Sequence, residues 1–359
     1  MKKSLLIPAA FGALALTLAS CATPPPATTS SPAATSGATA SDFKACMVSD
    51  LGGFDDKSFN QTSHDGLVKA QTDLGIQIAE VQSKAAADYA QNIKSMVDAK
   101  CNIIITVGFL LGDATQAAAK QYPDVKFAIV DYAYDAPESN LKGLVFNTGE
   151  PSFMAGYVAA ALSQTGKVGT FGGSKIPSVT AFMTGYAQGV AYYNEAKSKK
   201  VQVLGWDDVK KDGSFIPGKS PFQDVAGGKQ LATNLVAQGA DILLPVAGNS
   251  AEGALQVAKA SNGKVGSMWV DTDGCVSQEK YCAVIPTSVG KAMDVAVFEA
   301  IKAAKAGSFD STPFVGTLAN SGVYLAPFHQ WESKVSADTK AELDKIKADI
   351  IAGTIKVTS

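Results

Sequence analysis

Short runs of β-branched and apolar residues alternate with longer segments of helical spacing, and the alternation occurs twice along the chain. In the first half, strand-like runs lie at 43–49, 76–81, 102–107, 126–130 and 142–146, with helical patterns at 59–73, 86–99 and 112–121 between them. After "EPSFMAGYVAAAL", itself a helix, strands recur at 167–173, 201–206, 241–246 and 265–270, and helices at 178–198, 225–238 and 249–260. A third, shorter group follows: the strand "AVIPTSV", a helix over 288–306, a hairpin "FVGTLANSGVYLAPF" and a helix over 336–352. Such alternation specifies parallel sheet, because each crossover helix returns the chain to the same end of the sheet. Two such halves with a returning tail predict an α/β protein of two doubly wound parallel-sheet lobes, joined by a hinge that the chain crosses several times. The strand ends of both lobes then meet at a cleft, where ligands favour binding. Residues 42–148 plus 285–318 are assigned to the first lobe, and 149–284 plus 319–359 to the second.

The N-terminus is of a different kind. "MKKSLLIPAAFGALALTLASC" has a basic start and an apolar run too short for a membrane span, which is the anatomy of a signal peptide over residues 1–21. Its end, "LASC", resembles the bacterial lipobox, in which the cysteine, here Cys21, is diacylated; the bland alternative is a plain secretory signal. Residues 22–41 hold almost only Pro, Ala, Ser and Thr and read as a disordered tether. Lipid, tether and globular body together predict anchoring at the outer face of a bacterial membrane.

Charge removes several function classes. The net charge is −2, without basic or acidic blocks, so no nucleic-acid partner is expected. All 31 cationic side chains are lysine. Without arginine, the usual bidentate clamp for phosphates and carboxylates, an anionic ligand is disfavoured, although backbone amides can also hold anions. Cys46 and Cys101 sit at the starts of strands that would be neighbours in a parallel sheet, and Cys275 and Cys282 flank a short loop. Two disulfides, Cys46–Cys101 and Cys275–Cys282, are expected in an exported protein, against free buried thiols. No metal is expected, since the cysteine spacings fit no zinc motif and His64 and His329 are the only histidines. Neither GxSxG nor HExxH is present, and "GTFGGSK" lacks P-loop spacing, so neither catalysis nor a cofactor is expected.

The stretches "SDLGGFDDKSFNQ" (49–61), "YPDVKFAIVD" (122–131), "GEPSFMAGYVAA" (149–160), "GGKQLATNLVAQGADILLPVAGNSAEGALQVAK" (227–259), "VDTD" (270–273) and "TSVGKAMDVAV" (287–297) together resemble the basic membrane protein family of ABC-transporter substrate-binding lipoproteins, whose best-understood members are purine nucleoside receptors. The resemblance implies a type I periplasmic-binding-protein fold, no catalysis, and delivery of a nucleoside to ABC permease subunits by a receptor that is a monomer by default. Another neutral ligand, a sugar or a signalling molecule, remains the alternative, and a surface adhesin role is a further one.

A purine nucleoside is flat, uncharged and rich in hydroxyls. It asks for aromatic faces around the base and ionised carboxylates at the ribose. Asp50 and Asp271 end strands and are placed to accept from hydroxyls, although an aspartate at a strand end is commonly a turn residue. Asp55, Asp56 and Asp273 read as turn residues, and Asp56 as a cap of the following helix. Asp131 ends "FAIVD" and can accept from a base N–H or amine, while the Asn60 amide can read a base edge or the sugar. Gly248 permits close approach of backbone to ligand. The resemblance makes Phe59 one stacking ring, Phe222 the second and Lys291 a neighbour of the sugar. Around Phe222 the segment "DDVKKDGSFIPGKSPFQD" is longer than the family pattern, which leaves Phe215 and Trp206 as rivals for the second ring.

Overall fold

A computed structural model describes residues 42–358. The signal peptide, Cys21 and the tether predicted over 22–41 lie outside the described residues.

The first half forms β1 (Lys44–Ser49), α1 (Phe59–Leu74), β2 (Gln77–Gln82), α2 (Tyr89–Asp98), β3 (Ile103–Val107), α3 (Gly112–Gln121), β4 (Lys126–Val130) and β5 (Leu141–Phe146). These strands build one parallel sheet, and alternation along them explains why it is covered on both faces. Met47, Ile103, Ile105 and Ala128 point to one side and join Leu67 and Ala70 of α1 in one core. Cys46, Val48, Ile104 and Phe127 point to the other and join Tyr89, Ile93 and Ala118 of α2 and α3. A strand buried on both faces needs apolar residues at nearly every position, which is why these runs read as continuous rather than alternating.

The second half begins with α4 (Gly149–Leu162), β6 (Lys167–Gly172), α5 (Pro177–Lys197) and β7 (Gln202–Leu204). A small hairpin, β8 (Trp206–Asp207) and β9 (Asp212–Gly213), follows, then α6 (Val225–Ala237), β10 (Ile242–Val246), α7 (Glu252–Ala260), β11 (Gly266–Ser267), β12 (Trp269–Asp271) and α8 (Gly274–Ser277). Its main sheet has the order β11-β10-β6-β7. Val168, Ile242 and Leu244 bury against α4 and α5, and Phe171 and Leu243 against α6 and α7.

The remaining elements are β13 (Ser288–Lys291), α9 (Met293–Lys305), β14 (Phe314–Gly316), β15 (Val323–Leu325) and α10 (Ala337–Ile351). Here the sequence pattern needs three corrections. The run 265–270 is two strands: β11 pairs with β10, whereas β12 turns away to pair with β13. The predicted hairpin over 314–328 does not form. β14 joins the edge of the first sheet beside β5, and β15 pairs antiparallel with β13 in a sheet β12-β13-β15. The helix expected over 288–306 starts only at Met293, so Lys291 ends a strand instead of opening a helix. Two causes act together: Gly290 is a poor helix residue, and the Tyr324 ring of the paired strand, distant in sequence, lies across it, where a Cβ on Gly290 would meet the ring at 2.1 Å. It follows that β13, which the predicted boundary at residue 285 put with the first lobe, hydrogen-bonds to strands of the second, and the chain changes sides at Ala292. The chain passes between the sheets after β5, after β13 and between β14 and β15.

Both expected disulfides, Cys46–Cys101 and Cys275–Cys282, are formed. Among the described residues, no helix is long and apolar enough to cross a membrane.

Candidate functional site

All eight residues predicted to bind ligand line one cleft between the two sheets: Asp50, Phe59, Asn60, Asp131, Phe222, Gly248, Asp271 and Lys291. Each stands at a strand end or in the loop or first turn that follows, where a doubly wound sheet opens toward its ligand.

The loop after β1 organises its own acids. The Asp50 Oδ1 accepts from the Gly52 N–H and from Asn60 Nδ2, both at 2.9 Å. The Asp56 carboxylate accepts the backbone N–H groups of Ser58, Asn60 and Gln61 at 2.9–3.0 Å and Asn60 Nδ2 at 3.1 Å, so it holds the start of α1 as expected of a cap. It also lines the cleft, which its reading as a turn residue did not anticipate. With both amide hydrogens of Asn60 committed to carboxylates, its Oδ1 is buried without a partner, so the residue offers the cleft an acceptor only. Behind Asp50 stands Gly108 at φ +120°, where a Cβ would lie 2.6 Å from the Asp50 Oδ2. A side chain there would displace the carboxylate.

Lys291 is the cation of the site and is 2 % exposed. Its Nζ lies 2.7 Å from the Asp131 Oδ2, at the end of β4, and 3.1 Å from the Asp271 Oδ1, at the end of β12. One ammonium thus ties the strand ends of both sheets together. The same Nζ is 4.5 Å from the centre of the Phe59 ring and 5.5 Å from that of Phe182, within range of cation–π attraction. Asp131 and Asp271 both have left-handed backbone, with φ of 66° and 73°. Aspartate tolerates this conformation better than most residues, yet strain at a functional position costs of order 1–3 kcal/mol and needs support from its surroundings.

Burial sets the electrostatics. It pushes the Asp50 carboxyl above the usual carboxylate range, against the Gly52 and Asn60 hydrogen bonds, with Asp131 and Asp271 adding to the rise. Asp131 is also raised by burial, with Lys291 opposing. Burial lifts Asp56 to about 6 against the N–H groups it accepts. For Lys291 burial works against the charge, but Asp131 and Asp271 outweigh it and hold the amine above its ordinary value.

Phe222 enters from the second sheet's side, its ring lying on Gly173, where a Cβ would sit 2.4 Å from the ring. Its rivals do not line the cleft: Trp206 is buried, and Phe215 packs edge-on against it with ring centres 6.3 Å apart. Gly248 has φ 52° and lies beside Phe222. The sequence motifs did not point to Phe109, Ser178 and Phe182, which also line the cleft. Their signal was positional: Phe109 follows the end of β3, and Ser178 and Phe182 lie in the opening turns of α5.

Several bonds bridge the cleft. Ser58 Oγ donates to the Asp271 Oδ2 at 2.7 Å, the Trp269 indole N–H to the Lys57 carbonyl at 3.2 Å, and Gln223 Nε2 to the Gly52 carbonyl at 3.0 Å.

The family model described as ABC transporter substrate-binding protein PnrA-like matches residues 43–215 and 219–359. The chain belongs to this family. The unmatched residues 216–218 fall within the segment that is longer than the family pattern. Among curated relatives, the ABC transporter nucleoside-binding protein BmpA of Lactococcus lactis subsp. cremoris is 31% identical over 344 residues, covering 90% of this chain and 92% of the relative. Basic membrane protein A of Borreliella burgdorferi is 29% identical over 321 residues, 88% of each chain. Among solved structures, an ABC transporter solute-binding protein from Aeropyrum pernix K1 aligns with a TM-score of 0.78 at 26% identity, over 88% of this chain and 92% of that one. The arabinose-binding protein AraP of Geobacillus stearothermophilus, at 15% identity and a TM-score of 0.59 over 83% of this chain and 100% of that one, shares the fold alone. As a PnrA-like substrate-binding protein of type I periplasmic-binding-protein fold, the chain captures a ligand for an ABC transporter and is not an enzyme.

Proposed function

We propose that the protein is a lipid-anchored receptor that captures a purine nucleoside in the inter-lobe cleft and delivers it to ABC permease subunits. The observation that carries the reading is the composition of the cleft. Asp131 and Asp271 share a single ammonium, Asp50 lines the same cleft without a cation of its own, and the Asn60 Oδ1 adds a further acceptor. Such a site asks for a donor-rich ligand and repels an anion. Phe59 and Phe222, one from each side of the cleft, supply faces for the base, while ribose hydroxyls donate to the strand-end carboxylates. Closure around the base then couples binding to a change of shape that a permease can read. The nucleoside-binding name of the Lactococcus relative agrees with this ligand class.

Titration calorimetry with adenosine, guanosine, inosine, uridine and guanosine monophosphate tests the ligand. At least one purine nucleoside should bind, and its phosphate ester should bind at least tenfold more weakly. Phe59→Ala and Phe222→Ala should each cost about 1–3 kcal/mol, the worth of one stacked base. Heat with free sugars and none with any purine would move the ligand to the sugars. For the anchor, Cys21→Ala should release the protein from the membrane fraction into the medium and abolish labelling by fatty acid. A variant that stays with the membrane would overturn that part.

A further inference from the structure

Just beyond Asp271 the chain turns into α8 and enters a second crevice, which shares no lining residue with the cleft. Cys275, Glu279, Cys282, His329 and Gln330 line it. The Asp273 Oδ2 faces His329 Nε2 at 2.7 Å, and its other oxygen accepts from the Cys275 N–H at 2.9 Å, which fixes the carboxylate's direction. One donor atom each from Asp273, Cys275 and His329 lies within 4.8 Å of the other two. The fourth group is next to them, because Cys282 is bonded to Cys275. His329 has a left-handed backbone, at φ 43°, a conformation that histidine tolerates better than most residues. Its side chain is 33% exposed and that of Asp273 18%, so an ion in solution can reach both. The cysteine spacing alone gave no hint of this, since the histidine arrives from the distant segment after β15.

We propose that reduction of the Cys275–Cys282 disulfide turns this crevice into a zinc site, ligated by both thiolates, one imidazole nitrogen of His329 and the Asp273 carboxylate. The reductant is a dithiol. One of its thiolates attacks a disulfide sulfur, its second thiol resolves the mixed disulfide, and two electrons pass to Cys275 and Cys282 as the reductant becomes a disulfide. Zinc then replaces the two thiol protons, which leave to solvent. Two sulfurs, a nitrogen and a carboxylate oxygen are a donor set that zinc favours in tetrahedral sites. Tetrahedral bonds to such donors space them roughly 3.3–3.8 Å apart. The Asp273, Cys275 and His329 donors, within 4.8 Å of one another, stand close to that spacing already, and the bond to Cys275 puts the Cys282 sulfur beside them. The other disulfide serves as an internal contrast: Cys46 and Cys101 are buried in the first sheet's core, at 0% and 3% exposure.

The test titrates the full-length protein with zinc alone, in competition with a chromophoric chelator, once oxidised and once reduced by dithiothreitol that is then removed without air. Cobalt(II) replaces zinc in a parallel titration, because a thiolate-to-cobalt charge-transfer band reports sulfur ligation. The reduced protein should bind one equivalent at least 100-fold more tightly than the oxidised protein, with a tetrahedral cobalt spectrum. Cys282→Ser and His329→Ala should each weaken binding by at least about tenfold. Equal affinity in the two redox forms would overturn the proposal. So would tight binding that survives both substitutions, or a reduced protein that loses its circular-dichroism signature before metal is added.

Discussion

Lys291 is the residue on which the cleft's charge balance turns. It is the ammonium among buried carboxylates, and removing it leaves Asp131 and Asp271 facing each other without a counterion. Lys291→Met should lower stability to urea by about 3–5 kcal/mol, the usual cost of breaking a buried pair from one side. An unchanged midpoint would show that the carboxylates find protons or water instead. Gly108 acts through its neighbour. Gly108→Ala combines an unfavourable φ with a contact on Asp50, so it should cost about 1–3 kcal/mol and weaken ligand binding in the calorimeter, with the other cleft residues untouched. At this scale the pattern placed Asp50, Asp131 and Asp271 at strand ends, whereas Phe59, Phe222 and Lys291 were singled out by the family resemblance, because nothing local separates such a phenylalanine from core or such a lysine from surface. Phe109 and Phe182 were not legible, since a phenylalanine beside a glycine or on a helix is indistinguishable from core until the lobes face each other.

The α1 entry shows what an element gains from a buried cap. Four hydrogen bonds from the loop and first turn converge on Asp56, yet burial raises its pKa to about 6. The folded value lies above the unfolded one, near 3.8, so the native state holds the proton more firmly. The resulting stabilisation is complete below the unfolded pKa and is lost as pH rises through about 6. Urea stability should therefore fall between pH 4 and pH 7 by up to about 3 kcal/mol from this group, at about 1.4 kcal/mol per unit. Asp56→Asn should flatten that slope; a slope equal to that of the unaltered protein would rule the account out. Two of the three elements that misled the sequence pattern flank the crossings. Gly290 and Lys291 carry neither strand nor helix periodicity long enough to decide, and the apparent hairpin over 314–328 has turn residues in the right places. Which sheet each strand joins is fixed by contacts far along the chain, such as Tyr324 on Gly290, which no local window contains.

At the scale of the whole molecule, three chain crossings permit the lobes to move while Ser58, Trp269 and Gln223 bind them across the gap. Gln223→Ala removes one such bond without touching the cleft's carboxylates. It should weaken ligand binding about 2- to 12-fold, matching a hydrogen bond of roughly 0.5–1.5 kcal/mol, and small-angle scattering should show a larger radius for the variant before ligand is added. The doubly wound pattern of both halves was readable because the central parallel strands are apolar nearly throughout and helices separate the strands at regular intervals. The crowding of carboxylates around one ammonium has a consequence for transport. Apart, these acids are hydrated separately; together, they repel each other unless hydroxyl or N–H donors complete them. On the proposed reading, the ligand's donors offset that repulsion while the Lys291 bridge draws the two sides together, so cargo tips the balance toward the shut carrier, the form a transporter can select.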